Sequence, residues 1–265
     1  RTHGAKPPNG TGYIKAFRNA LEGREGVQIM MDTTGVSLIT DGDKVVGVNA
    51  TGKEGNAVTL MANKGVIIAT GGFAGNVELR QKYCEGEKWP DLGPSLTTSN
   101  MPGVTGDGIF MAEAVGADLV DMDQIQIHPS VYTETTTALI TEGIRGDGAI
   151  LVNQEGKRFV NELETRDNVS AAELAQEGGY AYTILDQKMM DASSTYNGYF
   201  TKGYAVQADS YEELAEKLGI DPATLTATME TWNKAVADQK DDEFGRLSFA
   251  SALDTAPYYA IKVTA

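Results

Sequence analysis

The stretch TEGIRGDGAILVNQEGKRFVNELETRD, residues 141–167, gathers Arg145, Arg158 and Arg166 among glycines and carboxylates in a chain whose formal net charge is -15. A guanidinium is the side chain best suited to grip a planar carboxylate in a partly buried site, because its N–H donors come in a fixed fork. Arg145 and Arg166 each lie near an acidic residue and hydrophobic runs, and they point to an anion site. Arg158, beside Lys157 in the turn NQEGKR, reads instead as a solvated surface charge. Glu142 and Arg145 stand three apart and can meet only if the segment turns helically, while Thr141 beside them offers a hydroxyl. Upstream, QIQIHPS sets His128 at the end of an alternating run, just before a proline. A lone histidine is more often a satisfied structural residue than a catalyst. The charge-dense segment that follows narrows that difference.

Glycine turns form a second group. In GVIIATGGFAGN an apolar run fit for burial on both faces leads into Thr70, Gly71 and Gly72 and then a helix. A backbone there can approach a phosphate or a flat ring closely, although strand–glycine–helix turns also serve as plain connectors. TGDG, residues 105–108, opens another helix with Gly106 and Asp107. Asp107 reads as a first-turn carboxylate favoured by the helix dipole or as a cofactor contact. GTG at 10–12 has no strand before it and lacks the dinucleotide-binding context.

The elements that must carry these residues follow from the patterning. Tyr13, Ile14, Phe17 and Leu21 repeat at helical spacing; VQIMM, VSLIT, KVVGVNA and AVTLMA read as strands of an antiparallel meander joined by tight turns. Helices are expected over NVELRQKYC and DGIFMAEAVGA, with a loop over residues 91–109 before the second. Short strands TALITE, AILVN and RFVN follow His128, then a helix beginning near Ser170. Ser210 with Glu213 forms a capping box, Gly219 stops that helix, Asp221-Pro222 opens the next, and APYYAIKVTA closes as a strand. There is no internal repeat, low-complexity segment or heptad array.

The totals bound the function. At 265 residues the chain has room for one large domain or two ordinary ones, with a hydrophobic share of 41%. Thirty-seven acidic against 22 basic residues argue against nucleic acid or an anionic membrane as the main partner, yet leave room for a local basic pocket. The single cysteine, Cys84, excludes an internal disulfide and a thiolate cluster; His3 and His128 alone argue against a self-contained zinc site. No apolar run is long enough to span a membrane, and the first residues, RTHGAKPPNG, read as neither a signal peptide nor a natural start, so no compartment is inferred.

The segments GVIIATGGFAGN, GVTGDGIFMAEAVGADLVDMDQIQIHPS, TEGIRGDGAILVNQEGKRFVNELETRDNVSAAELAQ, DDEFGR and APYYAIKVTA, in that order, cover nearly the whole chain. Together they resemble the fumarate reductase and succinate dehydrogenase flavoprotein family, in its soluble flavocytochrome c-type branch. The resemblance implies a mixed α/β and α+β fold: a partial FAD-binding domain of Rossmann-like strands plus β-meander over residues 1–126, an α+β capping domain over 127–258, and a return strand at 259–265. It further implies that His128 and Thr141 hold a substrate carboxylate and that Arg166 donates a proton fed through Glu142 and Arg145. Thr70, Gly71, Gly72, Gly106 and Asp107 would line FAD. The implied reaction adds a flavin hydride and a proton across the C=C bond of an unsaturated carboxylate. Electrons would come from a haem or flavin carrier encoded elsewhere.

The family's opening dinucleotide turn has no counterpart upstream of Arg1, and the His- and Arg-containing substrate segments that follow in the family lie beyond Ala265. The expectation is therefore an internal fragment that binds FAD weakly or not at all and is inactive alone. Leu139 stands where fumarate-specific members carry methionine, which leaves fumarate, urocanate and other acrylates open. Two other readings remain: an anion-binding module without redox chemistry, and a related flavin dehydrogenase acting on steroids or amino acids.

Overall fold

The computed structural model describes residues 10–84, 89 and 91–265. His3 lies outside the described residues. Along the first part of the chain run α1 (Gly10–Leu21), β1 (Thr34–Asp41), β2 (Lys44–Thr51), β3 (Ala57–Met61), α2 (Val77–Tyr83) and α3 (Asp107–Glu113). Two compact units result, one of residues up to 70 with 107–118, the other of 71–106 with 119–265.

In the first unit three of the four runs expected of the meander form its strands. β1 pairs antiparallel with β2 from Thr34↔Thr51 to Asp41↔Lys44, and β2 pairs with β3 from Gly47↔Met61 to Thr51↔Ala57. Gly42 and Gly55 take φ of 58° and 78° in the connecting turns, where a β-carbon would be strained. The helix at α1 also forms, but its apolar stripe is not buried: Ile14 and Phe17 remain 66% and 64% exposed. Two expected strands are absent. VQIMM and GVIIAT form no ladder, and Ile67 is 93% exposed. Apolar β-branched composition makes a strand only when a neighbouring backbone takes its N–H and C=O groups, and no described strand lies beside either segment.

The second unit continues with β4 (Val131–Tyr132), β5 (Ala138–Leu139), α4 (Gly143–Gly146), β6 (Ile150–Val152), α5 (Arg166–Leu174) and β7 (Tyr180–Asp186). Then come α6 (Gln187–Ala192), α7 (Ser194–Thr201), β8 (Ala205–Ala208), α8 (Tyr211–Leu218), α9 (Pro222–Asp238) and β9 (Tyr258–Thr264). The six strands form an antiparallel sheet in the order β5-β4-β9-β7-β6, with β8 also on β9. The closing strand β9 thus lies in the middle, paired with β7 from Tyr180↔Thr264 to Asp186↔Tyr258. YAYTILD, which becomes β7, was not anticipated. TALITE shortens to the two residues of β5, RFVN keeps only a bridge between Val152 and Arg158, and the expected helix starts at Arg166 rather than near Ser170.

Helices α8 and α9 begin and end where their caps dictate. Ser210 Oγ accepts from Glu213 N at 3.1 Å, Gly219 closes α8 at φ 72°, and Asp221 accepts from Thr224 N at 2.9 Å with Pro222 next. The Glu213 carboxylate turns to the Asp209 N–H at 2.8 Å, one residue before the cap. Leu225, Met229 and Trp232 bury one face of α9 in the core that the sheet shares with Ile144, Ile150, Ile184 and Leu214.

Arg158 overturns its expected exposure. Its guanidinium, 1% exposed, pairs with Glu162 at 2.9 Å and Asp241 at 3.0 Å and lies 4.8 Å from the Trp232 ring centre. Arg246 joins from the other side of the sequence, at 3.1 Å from Glu162 and 4.7 Å from the same ring. The sequence places Arg158 in a turn, but Asp241 and Trp232 reach it only through tertiary folding. Because Glu162 is fully buried between two guanidiniums, Glu162→Gln should lower stability by about 3–5 kcal/mol. The check is a urea denaturation midpoint, which should fall without a change in slope.

Candidate active site

The site is built on α4 and the first residue of α5. Ile144, fully buried, anchors the short α4 in the core, and the helical turn brings Glu142 and Arg145 to 3.1 Å. Arg145 is 4% exposed and donates through Nη1 to the Glu162 carbonyl at 2.8 Å. Its own carbonyl accepts from Arg246 Nη2 at 2.7 Å, so both ends of the residue are held. Arg166 opens α5, the end of a helix where the dipole disfavours a cation. Glu142 compensates by taking Arg166 Nε at 2.7 Å and Nη2 at 2.6 Å in a two-pronged pair. One carboxylate therefore joins two guanidiniums, one buried and one 41% exposed along its side chain.

The charges respond accordingly. The hydrogen bonds from Arg166 hold Glu142 below the usual carboxylate range against the opposing effect of burial. The same hydrogen bonds raise Arg166, whereas burial lowers Arg145 and the nearby carboxylates partly restore it. Burial also pushes His128 below the usual histidine range; Glu142 pulls it back, and Arg166 and Arg145 push it further down. His128 thus shares its electrostatic surroundings with all three, and its Nδ1 is buried without a hydrogen-bond partner. The Thr141 N–H donates to the Tyr199 hydroxyl at 2.9 Å, and its Oγ1 accepts from Gly143 N at 3.4 Å.

Gln126 links this cluster to the glycine turn. Its Oε1 accepts from Arg166 Nη1 at 2.5 Å. It also lines two cavities, of about 110 Å³ beside His128 and about 320 Å³ beside Gly72. Arg80, Asn100 and Ile125 line both. The glycine turn suits a flat ligand: Gly71 has φ 81°, Gly72 is exposed with open space where a β-carbon would stand, and Gly75 packs onto the carbonyls of Val104 and Pro102. Gly106, buried at φ 94°, ends the same loop. Thr70 and Asp107 belong to the other unit, where Gly108 at the start of α3 approaches Thr70 and Ile68 too closely to admit a β-carbon. Within the second unit alone, the open turn at Gly71 and Gly72 fits a flat ring held by backbone and small residues. Gln126 and Arg80 were missed from the sequence; the alternation of QIQIH with Gln126 between Ile125 and buried Ile127 is the signal that could have found the first. Among the described residues no group of three or more His, Cys, Asp and Glu could hold a metal, and no helix is long and apolar enough to cross a membrane.

A mixed α/β chain with a glycine turn suited to a flat ring and a carboxylate joining two arginines has the features of a flavoprotein. The chain belongs to the FAD binding domain family, which matches residues 1–265. It is 41% identical over 269 residues to the NADH:fumarate oxidoreductase of Klebsiella pneumoniae (strain 342), covering 99% of this chain and 28% of the relative. It is 41% identical over 253 residues to the fumarate reductase (cytochrome) of Shewanella frigidimarina, covering 94% of this chain and 42% of the relative. The solved open conformation of a flavocytochrome c3 fumarate reductase superposes with a TM-score of 0.72 at 34% identity, over 100% of this chain and 46% of that one. The chain therefore spans less than half the length of these proteins.

The shifts fix how stability follows pH. Glu142 and His128, both lowered, bind fewer protons folded than unfolded, so each adds stability that is complete above its ordinary 4.5 or 6.5 and is lost as pH falls through its folded value. Glu142→Gln should move the His128 midpoint further down, because it removes the one charge that raises it. Ring-proton NMR titration of the chain's two histidines reads this directly, and an upward or absent shift would refute the coupling.

Proposed function

We propose that this chain carries the substrate-protonating half of an FAD-dependent reductase of unsaturated carboxylates, with fumarate as the leading substrate. The observation that carries the reading is the joining of Arg166 and Arg145 by Glu142, with His128 in the same field. In this reading residues 1–126 and 259–265 belong to the flavin domain and 127–258 to the cap. Thr70, Gly71, Gly72, Gly106 and Asp107 line the flavin, and His128 and Thr141 receive a substrate carboxylate. Bound reduced flavin supplies a hydride to one carbon of the double bond.

The residues of this chain do the rest. Arg166, the more exposed guanidinium, donates its proton to the neighbouring carbon. A guanidinium beside a carboxylate is a poor acid at rest. Arg166 is raised by Glu142, so donation has to be concerted with its replacement. Glu142 is ionised at rest and serves as a conduit, taking a proton from Arg145 as it gives one to Arg166. Burial lowers Arg145 and makes it the better source. Fixed cations around the site stabilise the negative charge that develops between hydride and proton transfer.

The share of the relatives' length that the chain spans supports the view that it is part of a longer protein. In this reading a haem or flavin carrier supplies the electrons. On that view the isolated chain retains little or no FAD, and a visible spectrum after incubation with FAD and desalting should show no flavin band. In the FAD-loaded full-length protein, Arg166→Lys should reduce fumarate turnover by about 10²–10⁴-fold with flavin content unchanged. Turnover within a few fold of wild type would remove Arg166 from the donor role. An anion-binding module without redox chemistry would instead bind fumarate and never reoxidise reduced flavin with it.

A further inference from the structure

Beside the Arg166–Glu142–Arg145 chain lies a carboxyl that the proposed reaction does not use. Arg166, Val169, Ser170 and Glu173 recur at i, i+3, i+4 and i+7 and share one face of α5. Val169, Ser170 and Glu173 are fully buried. Both Glu173 oxygens are shut from solvent without a hydrogen-bond partner in the protein, and so is Nε of Arg145. The other two nitrogens of Arg145 are committed to Glu142 and the Glu162 carbonyl. Arg145 is the charged group that acts on Glu173, and Glu173 ranks next to Glu142 among the carboxylates that act on Arg145. The other elements packed on α5 present Glu177, the tyrosines and Asp186 of β7, and Lys262 with the tyrosines of β9, none of which bears on Glu173.

We infer that Glu173 is a positioning residue for Arg145, a second carboxyl that competes with Glu142 for one guanidinium. The proton on Glu173 decides the competition. A fully buried carboxylate without donors is too costly to keep ionised, and burial raises Glu173 well above the carboxylate range against the pull of Arg145. While Glu173 is neutral, Arg145 stays with Glu142, and two guanidiniums against one carboxylate leave the cluster a net positive charge suited to an anion. When Glu173 loses its proton, it draws on the free Nε edge of Arg145, the cluster becomes neutral, and Glu142 is left to Arg166. The effect on turnover rests on the proposed reductase reading; the effect on Arg145 does not.

The test compares the FAD-loaded full-length protein, wild type and Glu173→Gln. Infrared spectroscopy should show in the wild type the carbonyl band of a protonated, unpartnered carboxylic acid, present at neutral pH, lost on alkaline titration and missing from the variant. Nitrogen NMR of Arg145 Nε should move in the wild type with the same midpoint. Fumarate turnover should match between the two proteins at acid pH, whereas at alkaline pH the wild type should fall roughly fivefold or more below the variant. Absence of the band, a fixed Arg145 resonance or identical pH profiles in two active proteins would each overturn the inference. If neither protein reduces fumarate, the reductase reading fails, while the band and the resonance still decide the role of Glu173. Should Glu173→Gln not fold, the wild-type band and resonance decide it alone.

Discussion

Glu162 is the residue on which the site depends. Its buried carboxylate accepts from Arg158, Arg246 and the Leu151 N–H, which ties the loop after β6 to the strand itself and to the segment after α9. Its carbonyl accepts from Arg145. Arg246, fixed by that carboxylate, returns to hold the Arg145 and Ala149 carbonyls at 2.7 and 3.0 Å. A single buried anion thus sets the position of α4 from both sides. Unpaired, any member of this group would cost several kcal/mol, and paired it allows few alternative arrangements. The rigidity of Arg145 is a consequence of that network.

A second carboxylate uses this rigidity. Glu142 meets a fixed guanidinium on one side and a freer one on the other, since Arg145 is 5% and Arg166 41% exposed along the side chain. The fixed partner orients Glu142; Glu142 then orients Arg166 through two short hydrogen bonds, and Gln126 takes the remaining nitrogen. Position passes outward from the core to the exposed cation one contact at a time. A lone arginine on a loop would lose far more side-chain entropy on reaching one geometry. Here that cost is met by folding.

Local chemistry made much of this legible. The caps at Ser210 and Asp221, the stop at Gly219 and the hairpin turns of the meander depend on neighbours in sequence and appear where their residue types require, and the closing strand forms as its alternation predicts although its partners are distant. The helical meeting of Glu142 with Arg145 is also a short-range property, as is the glycine turn at Gly71. What failed depended on distant partners. GVIIAT has strand composition without a described strand beside it, the stripe of α1 has an apolar face without a cover among the described residues, and Arg158 is buried against Asp241, a partner 83 positions away. YAYTILD becomes a strand flanked by β6 and β9 on the strength of both, and neither is visible from its own residues.

Helix α5 shows why the site nevertheless stood out. A helix chosen for its own stability would not begin with a cation at the positive end of its dipole, nor bury a carboxyl without donors on its inner face. Arg166 and Glu173 do both, seven residues apart on one face. Each is compensated or challenged by a pair at α4, its N-cap Glu142 holding Arg166 and its Arg145 acting on Glu173. Two violations of helix preference that converge on two adjacent partners are hard to attribute to packing, because packing alone would be served better by apolar residues at both positions. The local rules break where an exposed cation must be held at a set charge and direction. The proposed binding and protonation of an anion rests on that arrangement.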